Sequence, residues 1–368
     1  MKLKNLIWLT VMLAMVCSGT AMAKKRRSKK EKDPVKSITP YLKIQADLGY
    51  VYKSKEASGV GESDLDYYNN LLGTSRVGVK GEQGKIKGNV ELGLDAPNNK
   101  TSLRHAYGTY NFGCGEVLMG HTWTPYTFLS SMVRGGKFGI GYGATYDPRQ
   151  NQIKLTMSNA YVSFMNPNTA NLAGPTGVIA TTNIDTLLPK TALGYEYKAK
   201  MFSVGPGLVF NAVQVKEENV PALTNLDGEF LLSWMAYVHG EMNLAALMIK
   251  GNLAFGMNTG NLGVGTQYAT LKTSGDGFEN TKTIEGFVDV GYDLKFVNLV
   301  SGIGYLWADN CDWTEKDQNL SLYIQGDIPI EKNLKATPYI NYVNKFKDSS
   351  GTKEGSEVYV GVFGQLSL

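Results

Sequence analysis

An all-β chain, folded as a transmembrane antiparallel up-and-down β-barrel of sixteen strands, is the fold class this sequence predicts. Three observations carry it. Apolar and polar residues alternate with period two in run after run from Tyr41 to Leu368. The connections alternate between tight turns and longer loops. The face opposite the apolar one is rich in charge, as a wet lumen requires. In "SRVGVKGEQGKIKGNVELGLD", residues 75–95, two such runs stand side by side. Val77 and Val79, then Ile86, Val90, Leu92 and Leu94, take one face; Arg76, Lys80, Glu82, Lys87, Asn89, Glu91 and Asp95 take the other.

In chain order the alternating runs are residues 41–53, 73–83, 85–95, 102–112, 116–122, 151–157, 160–165, 191–199, 201–215, 228–240, 243–257, 282–294, 296–307, 317–328, 333–346 and 356–368. Tight turns fall at Gln83-Gly84, Gly113-Cys114-Gly115, Ser158-Asn159, Lys200, Glu241-Met242, Lys295 and Pro329 to Lys332. Longer connections at 54–72, 96–101, 123–150, 166–190, 216–227, 258–281, 308–316 and 347–355 fall at the other end. The later runs show the expected polarity clearly: Ile284, Val288, Val290, Tyr292 and Leu294 would face lipid, while Glu285, Asp289 and Asp293 face inward. Leu247, Ile249, Leu253 and Phe255 similarly oppose Lys250 and Asn252. An open sheet edge is not tolerated in hydrocarbon, so the last strand must pair with the first. The 21 Tyr and 5 Trp residues, several at strand ends (Tyr41, Tyr52, Trp307, Trp313), suit the interfacial girdles of such a barrel.

The first 23 residues read as a secretory signal: Lys2 and Lys4, then "LIWLTVMLAMV", then Ala21-Met22-Ala23 as the cleavage site. Residues 24–40 form a basic leader that cannot bury enough apolar surface to order itself. Lys24–Lys36 carries a net charge of +6 and the signal, through Lys2 and Lys4, a further +2, so the +4 of the whole chain conceals a net −4 over residues 37–368. The leader is expected to be solvated, with contact to anionic headgroups or cell-wall polymer as the alternative that such a block of charge favours electrostatically; a nucleic-acid partner is not expected, because export removes the chain from nucleic acid. The barrel itself is expected to span residues 41–368.

Little suggests catalysis. The three histidines, His105, His121 and His239, lie on separate strands without metal-ligand spacing. "GKFGIGYGAT" lacks the Lys-Ser/Thr ending of a phosphate loop, and the acids of "DNCDWTEKD" read as a solvated loop. No cofactor or metal is expected. Cys114 and Cys311 are the cysteines of the mature chain, and they fall at opposite ends of the barrel.

"SRVGVKGE" and "SLRHAYGTYNFGCGEVLMGHTWTP" resemble the early strands of Gram-negative general porins: an Arg-apolar-Gly-apolar-Lys-Gly strand, an Arg-x-Ala-aromatic strand, a Phe-Gly turn, and a strand that leads into the constriction loop. The resemblance implies a homotrimer in the outer membrane, embedded in lipid and lipopolysaccharide, with a third loop folded inward over Thr124 to Gln150. It further implies a filter in which Arg76 and Arg104 on the wall face that loop. In the loop, Arg134, Lys137 and Arg149 outnumber Asp147, whereas many relatives carry several acids there; Glu91 and Asp95 oppose from a neighbouring strand. The chain also ends on Leu368 where most relatives end on an aromatic residue.

The function expected is passive diffusion of ions and small hydrophilic solutes through a water-filled channel, with charge filtering at its narrowest point. Two alternatives are a substrate-specific channel for small anions such as carboxylates, and a non-conducting surface adhesin or structural barrel.

Overall fold

A computed structural model describes residues 36–95, 100–132, 140–167, 173–174, 177–178, 184–215, 228–272 and 277–368. The expected signal and most of the leader lie outside these residues, as do Arg134, Lys137 and the side chain of Asp95.

Sixteen antiparallel strands form a closed barrel. They are β1 Lys36–Lys53; β2 Asp64–Leu71 continued by Arg76–Gln83; β3 Ile86–Asp95; β4 Lys100–Asn111; β5 Gly115–Thr122; β6 Gln150–Met157; β7 Ala160–Met165; and β8 Ile184–Tyr195 with Tyr197–Lys198. The second half holds β9 Phe202–Val215, β10 Phe230–Leu244, β11 Leu247–Met257, β12 Lys282–Asp293, β13 Asn298–Asp309, β14 Asp317–Glu331, β15 Leu334–Lys347 and β16 Lys353–Ser367. Closure is made by β1 against β16, in register from Lys43↔Ser367 to Lys53↔Glu357. Among the described residues no helix is long and apolar enough to cross a membrane; the strands make the crossing.

The alternation of the sequence becomes the two faces of the wall. Val90, Ile284 and Val288 are 55%, 42% and 49% exposed on the outside, whereas Glu91, Glu285 and Asp289 are buried within. Val360, Val362 and Leu366 on β16 likewise face outward. Turns are as short as two residues. At the β2–β3 turn Gly84 takes φ 59, a left-handed backbone that glycine adopts without penalty.

Three expectations need correction. Residues 64–71, read as part of a long loop, pair with β1 from Ala46↔Leu71 to Lys53↔Asp64; the polar composition of "DLDYYNNL" hides the alternation that puts Leu65 and Tyr67 outside and Tyr68 inside. The turn expected at Glu241-Met242 lies at Ala245–Ala246, because pairing continues through Glu241↔Lys250 and Met242↔Ile249 to Leu244↔Leu247. Lys36 to Pro40, assigned to the disordered leader, are the start of β1.

The lumen is less uniformly wet than strand parity implies. Tyr68, Tyr323, Tyr339, Tyr359 and Phe363 pack inward with Met132 on one side. Tyr126, Tyr161, Met165, Met235, Tyr237 and Leu262 form a second inward cluster. Two loops enter the barrel to complete these clusters, the connection after β5 and the connection after β11, which begins with a 3-10 turn at Thr259–Leu262. The first follows the course expected of the third loop. It lies directly on the wall where side chains are absent: a Cβ on Gly143 would meet the Gly286 carbonyl oxygen at 1.9 Å, and one on Gly304 would meet the Tyr142 carbonyl oxygen at 2.0 Å.

Candidate functional site: the basic wall of the lumen

Arg76 on β2 and Glu91 on β3 occupy inward positions that strand parity dictates. Arg104 does not. On β4, Glu91 pairs with His105 while Leu92 pairs with Leu103, so Arg104 is the extra residue of a β-bulge. A bulge lets consecutive residues point the same way; Leu103 is 51% exposed to the outside, whereas Arg104 and His105 are both buried toward the lumen.

Glu91 gathers the cluster. Arg104 Nε donates to Glu91 Oε1 at 2.7 Å, and Arg76 Nε lies 3.3 Å from Oε2. The Tyr41 hydroxyl lies 2.8 Å from Glu91 Oε2 and 3.0 Å from Asn89 Oδ1. Arg149, which ends the inward loop, donates from Nε to His105 Nε2 at 3.2 Å. Because Nε2 accepts, His105 carries its proton on Nδ1 and donates it to Thr122 Oγ1 at 2.9 Å. The imidazole is therefore neutral, and its 3.8 Å approach to Glu91 is not an ion pair. The Arg149 guanidinium also stacks on Trp123, 3.6 Å from the ring centroid. Burial, then the Arg104 guanidinium, pull the Arg149 pKa down to about 10, which leaves it cationic at neutral pH. Three guanidiniums thus stand against one carboxylate. Lys43, inward on β1, lies within electrostatic reach of Arg76, Arg104 and Glu91.

The acids of the inward loop and of the wall behind it are held elsewhere. Asp147 is fully buried: Lys190 Nζ donates to its Oδ2 at 3.0 Å, Tyr126 OH lies 2.5 Å from the same oxygen, and Gln150 Nε2 donates to Oδ1 at 2.9 Å. Burial raises the Asp147 pKa, an effect the Lys190 ammonium opposes. Its charge is matched by Lys190 and does not face open lumen, contrary to the expectation of a pore-lining acid. Asp289 anchors the loop, accepting from Ser130 Oγ at 3.0 Å and from the Ser131 amide at 2.5 Å. Gln325 Nε2 donates to the Ser131 carbonyl at 3.0 Å, and the Tyr142 amide donates to Ser321 Oγ at 3.0 Å. Phe128 stacks on His239 at 4.5 Å between centroids. Fastened along β12–β14, the loop leaves the basic wall facing it across the lumen.

The structure thus brings together Arg76, Glu91, Arg104 and Arg149, and sets Asp147 apart from them. Sequence reading missed Lys43 and Trp123, and it placed Tyr41 in an interfacial girdle, whereas its hydroxyl points inward to Glu91 and Asn89. Parity along β1, where Gln45 and Asp47 face inward, predicts the orientation of Tyr41 and Lys43; nothing in strict alternation predicts two consecutive inward residues on β4.

A family model for the Gram-negative porin matches residues 9–337. The chain belongs to the Gram-negative porin family. It is an outer-membrane channel for passive diffusion of small solutes, and proteins of this family are channels rather than enzymes. No curated protein matches the porin in sequence. Among solved structures it resembles the outer membrane channel DcaP of Acinetobacter baumannii at 15% identity and TM-score 0.68, covering 93% of this chain and 99% of that one. It also resembles the anion-selective porin from Comamonas acidovorans at 13% identity and TM-score 0.59, covering 91% and 100%. The trimer form of OmpT, an outer membrane protein of Vibrio cholerae, is similar at 14% identity and TM-score 0.58, covering 91% and 100%. At such identities the likeness concerns the fold, so the charges at this porin's constriction must be read from its own residues.

Proposed function

We propose that the porin is an anion-leaning diffusion channel whose filter is the wall formed by Arg76, Arg104 and Arg149, with Glu91 as their brace. The carrying observation is that one carboxylate is shared by Arg76 and Arg104, while Asp147 is buried against Lys190. Net charge over residues 37–368 is negative, but exposed charges farther than about 8–10 Å from the pathway are screened at physiological salt. Fixed charges beside a low-dielectric wall act on every permeating ion. Arg134 and Lys137 belong to the same basic loop in sequence and add to this reading, and Asp95 opposes it. The channel acts without catalysis. It assembles as a homotrimer in lipid and lipopolysaccharide, a reading supported by the family and by the trimer form of OmpT.

The deciding experiment is the zero-current potential of the reconstituted protein across a salt gradient, for wild type and for Arg76→Ser with Arg104→Ser. The wild type should favour anions or discriminate weakly, and the double variant should move toward cations. A strongly cation-selective wild type refutes the reading.

The inward tyrosine clusters favour a second reading, a narrower channel specific for small carboxylates. Conductance that saturates with such a carboxylate, and not with chloride, distinguishes it. A non-conducting surface barrel would give no channels at all.

A further inference from the structure

A cavity of about 520 Å³ lies on the long-loop side of the barrel, with neither Arg76 nor Arg104 in its lining, between the inward loop at 140–148, the connection at 263–267, and strands β12–β16. Its lining carries Glu285, Asp317 and Glu354 against Lys345, an excess of carboxylate where the filter has an excess of guanidinium. The decisive atoms are two buried acceptors. Glu285 is 4% exposed and Asn319 is 5% exposed. Among the described residues neither Glu285 Oε1 nor Asn319 Oδ1 has a hydrogen-bond partner. The amide of Asn319 is oriented by its Nδ2, which donates to Asp317 Oδ1 at 2.6 Å, so the oxygen is the acceptor left without a donor.

A buried carboxylate without a counter-charge is costly, and so is a buried acceptor without a donor. Both demands here are for donors and positive charge. An ammonium supplies both, with three N–H donors and no acceptor. A bare metal ion fits less well, since among the described residues no group of three or more His, Cys, Asp or Glu side chains is placed to hold one. We propose that this vestibule is a binding site for solutes bearing a primary ammonium group, held by Glu285 and the Asn319 amide oxygen. The site is separate from the Arg76–Arg104 wall and does not depend on that wall's selectivity. A solute entering from the long-loop side would therefore meet a cation site before a basic constriction.

Glucosamine and glucose, the same sugar with and without the ammonium, test this. Added on the long-loop side at neutral pH, glucosamine should interrupt single-channel current in a concentration-dependent way, and glucose should not. Glu285→Gln, which keeps the shape and removes the charge, should weaken the block about tenfold or more, the loss of one charge-assisted contact. Asp317→Asn should weaken it less. A readout independent of conduction is the unfolding temperature in detergent, which glucosamine alone should raise in wild type. Equal effects of the two sugars, or a block unchanged in both variants, overturn the site. If Glu285→Gln does not yield a folded barrel, the sugar pair on wild type and Asp317→Asn decide the matter.

Discussion

Arg104 Nε sits 2.7 Å from Glu91 Oε1, and it does so because Arg104 is the residue of β4 skipped within the β3–β4 register, between His105 and Leu103. Irregular pairing, rather than regular strand parity, delivers this guanidinium to the lumen beside His105. Glu91, itself buried, offsets repulsion between Arg76 and Arg104 and fixes both.

Glu91→Gln follows as a test of sign. It removes the only negative charge of the described cluster, so the zero-current potential should move further toward anions, most visibly at low salt where the Debye length is about 30 Å. A shift toward cations would mean that the two arginines swing out of the pathway once unbraced.

Neighbours on β3 should behave oppositely. Val90 is 55% exposed on the outer face and Asn89 is buried inward beside Tyr41. Val90→Arg should cost about 2–4 kcal/mol, the value for an arginine facing lipid at mid-membrane, whereas a luminal arginine stays hydrated and costs less. Reversible unfolding from lipid measures both; equal losses would contradict the face assignment.

The barrel was legible because each strand repeats one short signal, apolar residues on alternate positions, and the turn-and-loop rhythm adds the connectivity. Where that signal fades, reading failed: "DLDYYNNL" is strand for the sake of its pairing with β1, not its composition. The site was legible at Arg76 and Glu91, which obey parity, and Arg104 was anticipated only through its family resemblance. Tyr41 and Lys43 also obey parity, yet the strand-end position of Tyr41 suggested a girdle residue and Lys43 was overlooked. The pairing of Asp147 with Lys190 joins residues 43 positions apart across two chain segments, and no local pattern encodes such a contact.

Cys114 and Cys311 should both titrate as free thiols in denatured, unreduced protein. Both are free and exposed, one in the short β4–β5 turn and the other in the loop between β13 and β14, at opposite ends of a barrel whose apolar band is about 25 Å tall. A disulfide requires Cα atoms within about 7 Å. An absence of reactive thiols in the monomer would contradict the strand order.

The last expectation concerns what holds the inward loop. Lys190 on β8 and Asp147 in the loop have fully buried side chains, 3.0 Å apart, and Lys190 also donates to the Leu262 carbonyl at 3.0 Å, tying in the connection after β11. Removing one partner strands a buried charge, so Lys190→Met or Asp147→Leu alone should destabilise by about 3–5 kcal/mol. Replacing both removes the charges together and should recover much of that loss, since an apolar pair can stand in for a buried ion pair at little net cost. Unfolding free energies of the two single variants and the double variant, taken as a cycle, give the coupling. Because the loop borders the lumen, the single variants should also show noisier open-channel current than the double. Additive losses with no coupling would mean that the loop is held by Asp289 and the packing of Tyr126 and Phe128, with the ion pair incidental to its position.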